Sequence, residues 1–425
     1  MPLKPFAKGH DPVALAAALA ITDRVARQAA MDALPRPGAR KLIDPQAGIG
    51  AFPAPRLRIA VPEDESAETA AELLEVAGAA LLRDVPLEAI NIHPLANRLA
   101  QILAEFAVEG TFSTSANLTA QLCRQHGADG LFRIHAGRRG PRLGALLAAN
   151  VPSGWGAPLS FASRRRLGSY GATADEWAAL QRGNVPRPQS LSPHPEPIAT
   201  GRDIASLADQ DPPIEIPDLI ARLLLAAGAS YSSRFATRPN EVPFVRNGGA
   251  VDLQCSIAEA AAPAMRCAWK LKFFGARRQR PEELWPRAIA GELHPSFRER
   301  GQWIIDQIGD FLPMAYAPGS PLHSDDPSGH AVLAGVGFTL LKAWFADGPV
   351  PSLGLVRLHE ELDLMASHMS WGRIWAGIHS PSSVRRGLEL GQHFAIQLLN
   401  RQKAESPTVL GNTSFLSYSG QMLTV

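Results

Sequence analysis

Along the second half of the chain, apolar residues return every three or four positions in five long stretches. These are IPDLIARLLLAAGASYS from Ile216, DLQCSIAEAAAPAMRCAWKLKFFGA from Asp252, HAVLAGVGFTLLKAWF from His330, RLHEELDLMASHMSWGRIWAG from Arg357 and SSVRRGLELGQHFAIQLLNRQ from Ser382. That period belongs to amphipathic helices, and five in succession describe a helical bundle. Earlier, residues 67–82 and 94–106 carry the same pattern, and TSANLTAQLCRQHGADG sets a Ser/Thr-capped start before another helix. The first forty residues read as a short amphipathic helix followed by a Pro/Gly-rich break. Between about 137 and 197 the period is lost under Gly, Pro, Arg and Ser, so this stretch reads as an irregular surface excursion, with Arg164, Arg165 and Arg166 solvated or salt-bridged. The closing ESPTVLGNTSFLSYSGQMLTV alternates in places and predicts one or two short strands. No alternation of strand and helix supports a parallel sheet, so the fold class is all-α with minor strands.

Composition narrows the functions. With 425 residues, 46% of them hydrophobic, the chain can bury a large core. Lys plus Arg number 42 against 40 Asp plus Glu, a formal charge of +2, so no general field draws nucleic acid or an anionic membrane and any anion binding is local. Cys123, Cys255 and Cys267 are too few for a disulfide framework or a structural zinc site. The alanine-rich opening is interrupted by Asp23, Arg24 and Arg27 before it reaches the length of a signal or membrane-spanning segment, which makes a cytoplasmic protein the expectation.

Three fragments carry candidate chemistry. In WKLKFFGARRQRPEELWP a helix bears Lys272, Arg277, Arg278 and Arg280 before Pro281 ends or kinks it. Lys272 and Arg280 are about 12 Å and about 80° apart on one helix, so they meet only if their side chains converge. In HSDDPSGHAVLAG, Ser328 is a helix N-cap, and Gly329 and His330 open a helix whose first N–H groups lack intrahelical acceptors, an arrangement suited to an anion. In SWGRIWAGIHSPSSVRRGLELG, Arg373 and His379 are six residues apart, while Arg385 and Arg386 read as solvated. Singly, each fragment has an ordinary reading as a charged helix end or a structural histidine. Together they supply three permanent cations, a hydroxyl, a helix terminus and two histidines, a set that fits a tetrahedral or trigonal-bipyramidal oxyanion.

In that order along the chain, Lys272 with Arg280-Pro281, then Pro327-Ser328-Gly329-His330, then Arg373 with His379, the sequence resembles the vanadium-dependent haloperoxidases of the type 2 phosphatidic acid phosphatase superfamily. The eight-residue Lys-to-Arg spacing and a second histidine, His323, seven residues before His330 resemble the bromoperoxidase branch. The likeness is strong over 215–425 and vague before. It implies a single unit, residues 1–425, built on two four-helix bundles. Residues 1–210 would give N-terminal helices and irregular excursions, and residues 211–425 the bundle that carries the site. It implies vanadate, replaceable by phosphate, held by Lys272, Arg280, Ser328, Gly329 and Arg373. His379 would be the metal ligand, His330 the acid-base group, and His323 and Trp269 would lie near the halide. It implies oxidation of bromide or iodide by hydrogen peroxide to hypohalous acid, passed to a small organic acceptor, in a homo-oligomer. A phosphomonoesterase with His379 as nucleophile, or a non-catalytic anion-binding scaffold, would use the same residues. Two positions depart from the family pattern: where the family commonly has an aspartate four residues after the liganding histidine this chain has Ser383, and where an aromatic follows that histidine it has Ser380. A carboxylate partner for His330 is also implied, with Asp218 the candidate.

Overall fold

The computed structural model describes residues 54–106, 115–133, 141–151, 159–162, 164–210, 214–235, 248–275, 277–321, 323–407 and 410–425, with a few isolated positions between 17 and 30. Most of the helix expected in the first forty residues lies outside these. Among the described residues eleven helices frame the fold, beside two shorter ones at Ala145–Ala148 and Ala174–Gln181 in the stretch expected to be irregular: α1 (Ala67–Leu82), α2 (Pro94–Glu105), α3 (Ser115–His126), α4 (Gly201–Gln210), α5 (Glu215–Ala226), α6 (Ala250–Phe274), α7 (Pro281–Ile289), α8 (Ser296–Ile308), α9 (Gly329–Trp344), α10 (Leu358–Trp375) and α11 (Pro381–Glu405). Among the described residues the strands form three two-stranded antiparallel pairs, Asn150–Val151 with Leu159–Ser160, Arg166–Leu167 with Ser190–Leu191, and Ser414–Leu416 with Met422–Thr424. The fold is therefore all-α, as the periodicity predicts. Among the described residues no helix is long and apolar enough to cross a membrane.

Two helix bundles share one buried apolar cluster that runs from Ala70 to Val425. In the first, α1 packs against α2, α3 and α8. Its start is capped by Ser66, whose hydroxyl accepts from the Thr69 N–H at 3.2 Å. Helix α8 comes from the second half of the chain, so the bundles are not simply its two halves; Gly301 permits the approach, since a Cβ there would stand 2.5 Å from a Leu74 methyl carbon. In the second, α9 is central, flanked by α5, α6, α10 and α11, with α4 lying on α10. The α9–α11 seam is close because Gly387 and Gly391 bring backbone to backbone: a Cβ at Gly391 would stand 2.0 Å from the Val332 carbonyl oxygen.

A buried polar layer joins the bundles beneath the start of α11. Arg278 pairs with Glu72 at 2.8 Å and also donates to Ser382. Glu72 in turn accepts from the Ser382 N–H at 2.7 Å. Arg385 donates to the carbonyls of Ser115 and Arg133 and to the Thr119 hydroxyl. The solvated reading of Arg385 is thus wrong: it is 3% exposed, because α3 and the chain after it close over this face of α11. Arg386 is likewise paired, with Asp326 at 2.8 Å. Arg165 and Arg166 are salt-bridged to Asp203 and Asp209 on α4.

The helix carrying Lys272 also ends sooner than expected. It stops at Phe274, Gly275 caps it by donating its N–H to the Leu271 carbonyl at 2.8 Å, and Arg277 takes a positive φ of 47°. Pro281 neither ends nor kinks that helix; it occupies the first turn of α7, where its missing N–H costs nothing.

Candidate active site

Every candidate side chain of the anion set sits at a helix end. Lys272 and Arg373 lie in the last turns of α6 and α10, where a cation complements the helix dipole. Arg280 is the residue before α7, and Ser328 the N-cap of α9. His379 lies in the short connector between α10 and α11. There Gly377 at φ 81° reverses the chain, donating to the Ile374 carbonyl at 2.8 Å, and Pro381 opens the next helix.

These ends converge on one buried cluster. Arg280 Nη1 donates to the Ile378 carbonyl at 2.7 Å and stands 3.1 Å from His379 Nε2 and 3.3 Å from its Nδ1. Arg280 Nη2 is 3.0 Å from His323 Nδ1, and Arg280 Nε donates to the His323 carbonyl at 3.0 Å. Arginine can only donate, so its bond to the His323 ring requires an unprotonated Nδ1; the Ser324 carbonyl, 3.1 Å from the same nitrogen, suits the protonated ring instead. Lys272 Nζ donates to the carbonyls of Ser324 and Asp325 at 3.0 and 3.1 Å. Arg373 lies over the Tyr316 ring, 5.2 Å from its centroid, with Asp209 3.8 Å away.

The histidines differ in their partners. His379 Nδ1 is 2.6 Å from Asp325 Oδ1, so the ring donates there and leaves Nε2 its lone pair. His330 Nε2 is 2.8 Å from the Ala208 carbonyl, which can only accept, so in the neutral ring the unprotonated nitrogen is Nδ1. Burial lowers the pKa of His323, His330 and His379 well below 6.5, and the neighbouring cations push in the same direction. Burial, and then Arg280, lowers Lys272 well below its ordinary value as well.

What this arrangement accommodates is an oxyanion. Lys272, Arg280 and Arg373 are all under 5% exposed, and burying three cations together calls for a counter-anion. Two buried polar atoms here have no hydrogen-bond partner, the Ser328 hydroxyl and Arg373 Nε. Ser328 is the N-cap, yet its hydroxyl caps no backbone N–H, and the α9 terminus beside it presents the N–H groups of Gly329 and the residues that follow. Among the described residues no three His, Cys, Asp or Glu side chains converge as a cation site requires. The residues present thus fit vanadate or phosphate.

The structure brings together Lys272, Arg280, His323, Ser328, Gly329, His330, Arg373 and His379. Trp269 is on α6 one turn before Lys272 but is 38% exposed, and no ring contact or hydrogen bond joins it to the cluster among the described residues. Asp218 is not the partner of His330. It bonds Arg222 at 3.1 Å and Gln254 at 2.8 Å on the outer side of α5, while α4 supplies the Ala208 carbonyl. Sequence reasoning missed Asp325, Asp209 and Tyr316. Asp325 stands inside the motif-bearing HSDDPSGH, an acidic pair in a cation-rich site being its only local sign, whereas Asp209 and Tyr316 carry none.

No family model matches the chain. It is 27% identical over 268 residues to a vanadium-dependent bromoperoxidase of Corallina pilulifera, a match covering 50% of this chain and 44% of that protein. It is 27% identical over 396 residues to a vanadium-dependent bromoperoxidase of Ascophyllum nodosum, covering 80% and 69%. Among solved structures, the homohexameric second vanadate-dependent bromoperoxidase of Ascophyllum nodosum superposes with a TM-score of 0.74 at 22% identity, covering 97% of this chain and 80% of that one, which establishes the fold. The chain thus spans less than half the length of the Corallina pilulifera protein.

Proposed function

We propose that this chain, a homologue of the vanadium-dependent bromoperoxidases in sequence and in fold, is a haloperoxidase that oxidises bromide or iodide with hydrogen peroxide at a vanadate held by His379. The observation that carries the reading is that Arg280 bonds the His379 ring, with buried Lys272 and Arg373 close enough to act on it electrostatically, beside two buried, unpartnered polar atoms. Vanadate bound here would supply a Lewis-acidic centre that activates peroxide without changing its own oxidation state.

The protein's part is to hold charge and to place protons. His379 presents an unprotonated Nε2 that would be the covalent ligand, because its Nδ1 proton is committed to Asp325. Lys272, Arg280 and Arg373 would neutralise the oxyanion, and the Ser328 hydroxyl and the Gly329 N–H would help to hold it. His330, whose Nε2–H is committed to Ala208, takes and returns protons at Nδ1. Burial, and then Arg373, lowers its pKa, which favours the neutral form of the ring. His323, bonded to Arg280, is the residue assigned to the halide. The chain works as a homo-oligomer, in keeping with the hexameric state of its structural neighbour.

The test equilibrates the protein with vanadate, measures bound vanadium, and follows peroxide-dependent bromination of a phenolic dye. Stoichiometric vanadium with bromination supports the reading. Hydrolysis of a phosphate ester by protein that brominates nothing would overturn it in favour of a phosphatase.

A further inference from the structure

We propose that Asp325 is the positioning residue for the His379 imidazole, doing at Nδ1 what the serine at 383 cannot. The inference rests on the reading of His379 as the oxyanion's ligand. His379 Nδ1 is 2.6 Å from Asp325 Oδ1, and both side chains are buried. Ser383, one helical turn after His379, has its hydroxyl 3.3 Å from the same Nδ1 but donates its proton to the Asp325 carbonyl at 2.8 Å, so it offers the ring only a weak neutral acceptor. The charged acceptor takes the Nδ1 proton.

The carboxylate is itself clamped. Oδ2 accepts from the Ser380 hydroxyl at 2.6 Å, and both oxygens are 3.3 Å from the Ser380 N–H. The Asp325 N–H donates to the Arg278 carbonyl at 2.9 Å, while its carbonyl accepts from Lys272 and Ser383. Ser380, the other position that departs from the family pattern, therefore acts as the anchor of the relocated acid. The two departures and the Asp325 loop make one substitution in three parts: carboxylate moved to 325, hydroxyl at 380 to hold it, and hydroxyl at 383 to make room. An ionised partner on Nδ1 keeps Nε2 deprotonated and raises its basicity, which strengthens the bond to the oxyanion. It also joins the ring to the six-residue loop that carries His323 and Ser328, so ligand and proton machinery are set by one segment.

The experiment uses full-length protein stripped of anion, with vanadate and, separately, inorganic phosphate titrated calorimetrically. Histidine-labelled samples report the tautomer of His379 by long-range 1H–15N correlation. Wild type should show a proton on Nδ1. Asp325→Asn should raise the vanadate Kd by about 10- to 100-fold and shift the tautomer population. Asp325→Ser should match that loss, and Asp325→Ser with Ser383→Asp should recover most of the affinity by placing the acid at 383, whose side chain already reaches Nδ1. Vanadate binding to Asp325→Asn at wild-type strength, with an unchanged tautomer, would overturn the role of Asp325 while leaving the haloperoxidase reading intact. Failure of wild type to bind vanadate, with the tautomer still moved by Asp325→Asn, would sink that reading and keep the positioning role.

Discussion

Replacing Glu75 by Gln should change how stability depends on pH, because this carboxyl lies in the polar layer that ties the first bundle to the site-bearing α11. Glu75 is 1% exposed, its Oε2 accepts from the Thr119 hydroxyl at 3.1 Å, and its Oε1 has no partner. Burial raises its pKa from 4.5 to about 7, outweighing the opposing pull of Arg385; Glu72 raises it further, while Thr119 and the Phe132 backbone lower it. A carboxyl whose folded pKa exceeds its unfolded one binds its proton more tightly when folded. Its ionisation therefore removes stability as pH rises from about 4.5 to about 7, with nothing further lost above that. The full penalty is about 3 kcal/mol, of which about 2 kcal/mol falls between pH 5.5 and 8. Buried histidines act in the opposite sense, losing stability as pH falls through their unfolded value, but they are common to both proteins and cancel in the difference. Urea denaturation of wild type and Glu75→Gln at pH 5.5 and pH 8 should show the variant gaining on wild type by about 2 kcal/mol more at the higher pH. Parallel stability curves would refute the argument, since Glu75 would then titrate as an ordinary carboxyl or stay paired with Arg385 throughout.

Three further outcomes follow from the packing and the site. Gly391→Ala sets a Cβ 2.0 Å from the Val332 carbonyl oxygen, a backbone atom that cannot yield locally, so thermal denaturation should show a loss of about 3 kcal/mol. Asp363→Asn leaves the fully buried Lys342, paired at 2.6 Å, without its counter-charge, and chemical denaturation should register a loss of about 3–5 kcal/mol. Ser328→Ala removes a buried hydroxyl with no partner, so the anion-free protein should keep its melting temperature or gain slightly. Its vanadate Kd should nevertheless rise by about tenfold or more, as a lost bond to a charged group costs about 1.5–3 kcal/mol.

Much of the helical frame was legible because the apolar residues that return every three or four positions are those the core takes up, as the buried faces of α9 and α10 show. What was not legible came from partners distant in sequence. Nothing near Arg385 reveals that α3 covers it, so a helix-opening Arg-Arg pair reads as solvated. Nothing around Ser296–Ile308 says that this helix leaves its neighbours to close the first bundle. Proline misleads in the same way: Pro281 reads as a helix stop, yet its fixed φ and missing N–H suit the first turn of a new helix equally well. The choice was made by Gly275 six residues back, where α6 had already ended.

The site divides along the same physical line. Cations and hydroxyl groups that bind an anion must be particular side chains, so Lys272, Arg280, Ser328 and Arg373 are visible as letters in an order. A histidine's orientation, by contrast, asks only for an acceptor at the right point in space, and any element can provide one. For His330 the acceptor is the main-chain carbonyl of Ala208, which no side-chain pattern can announce. For His379 it is Asp325, 54 positions away in sequence and 2.6 Å away in space. On the proposed role of His379, the negative charge against Nδ1 comes not from position 383 but from Asp325, in the loop that also carries the Ser328 hydroxyl.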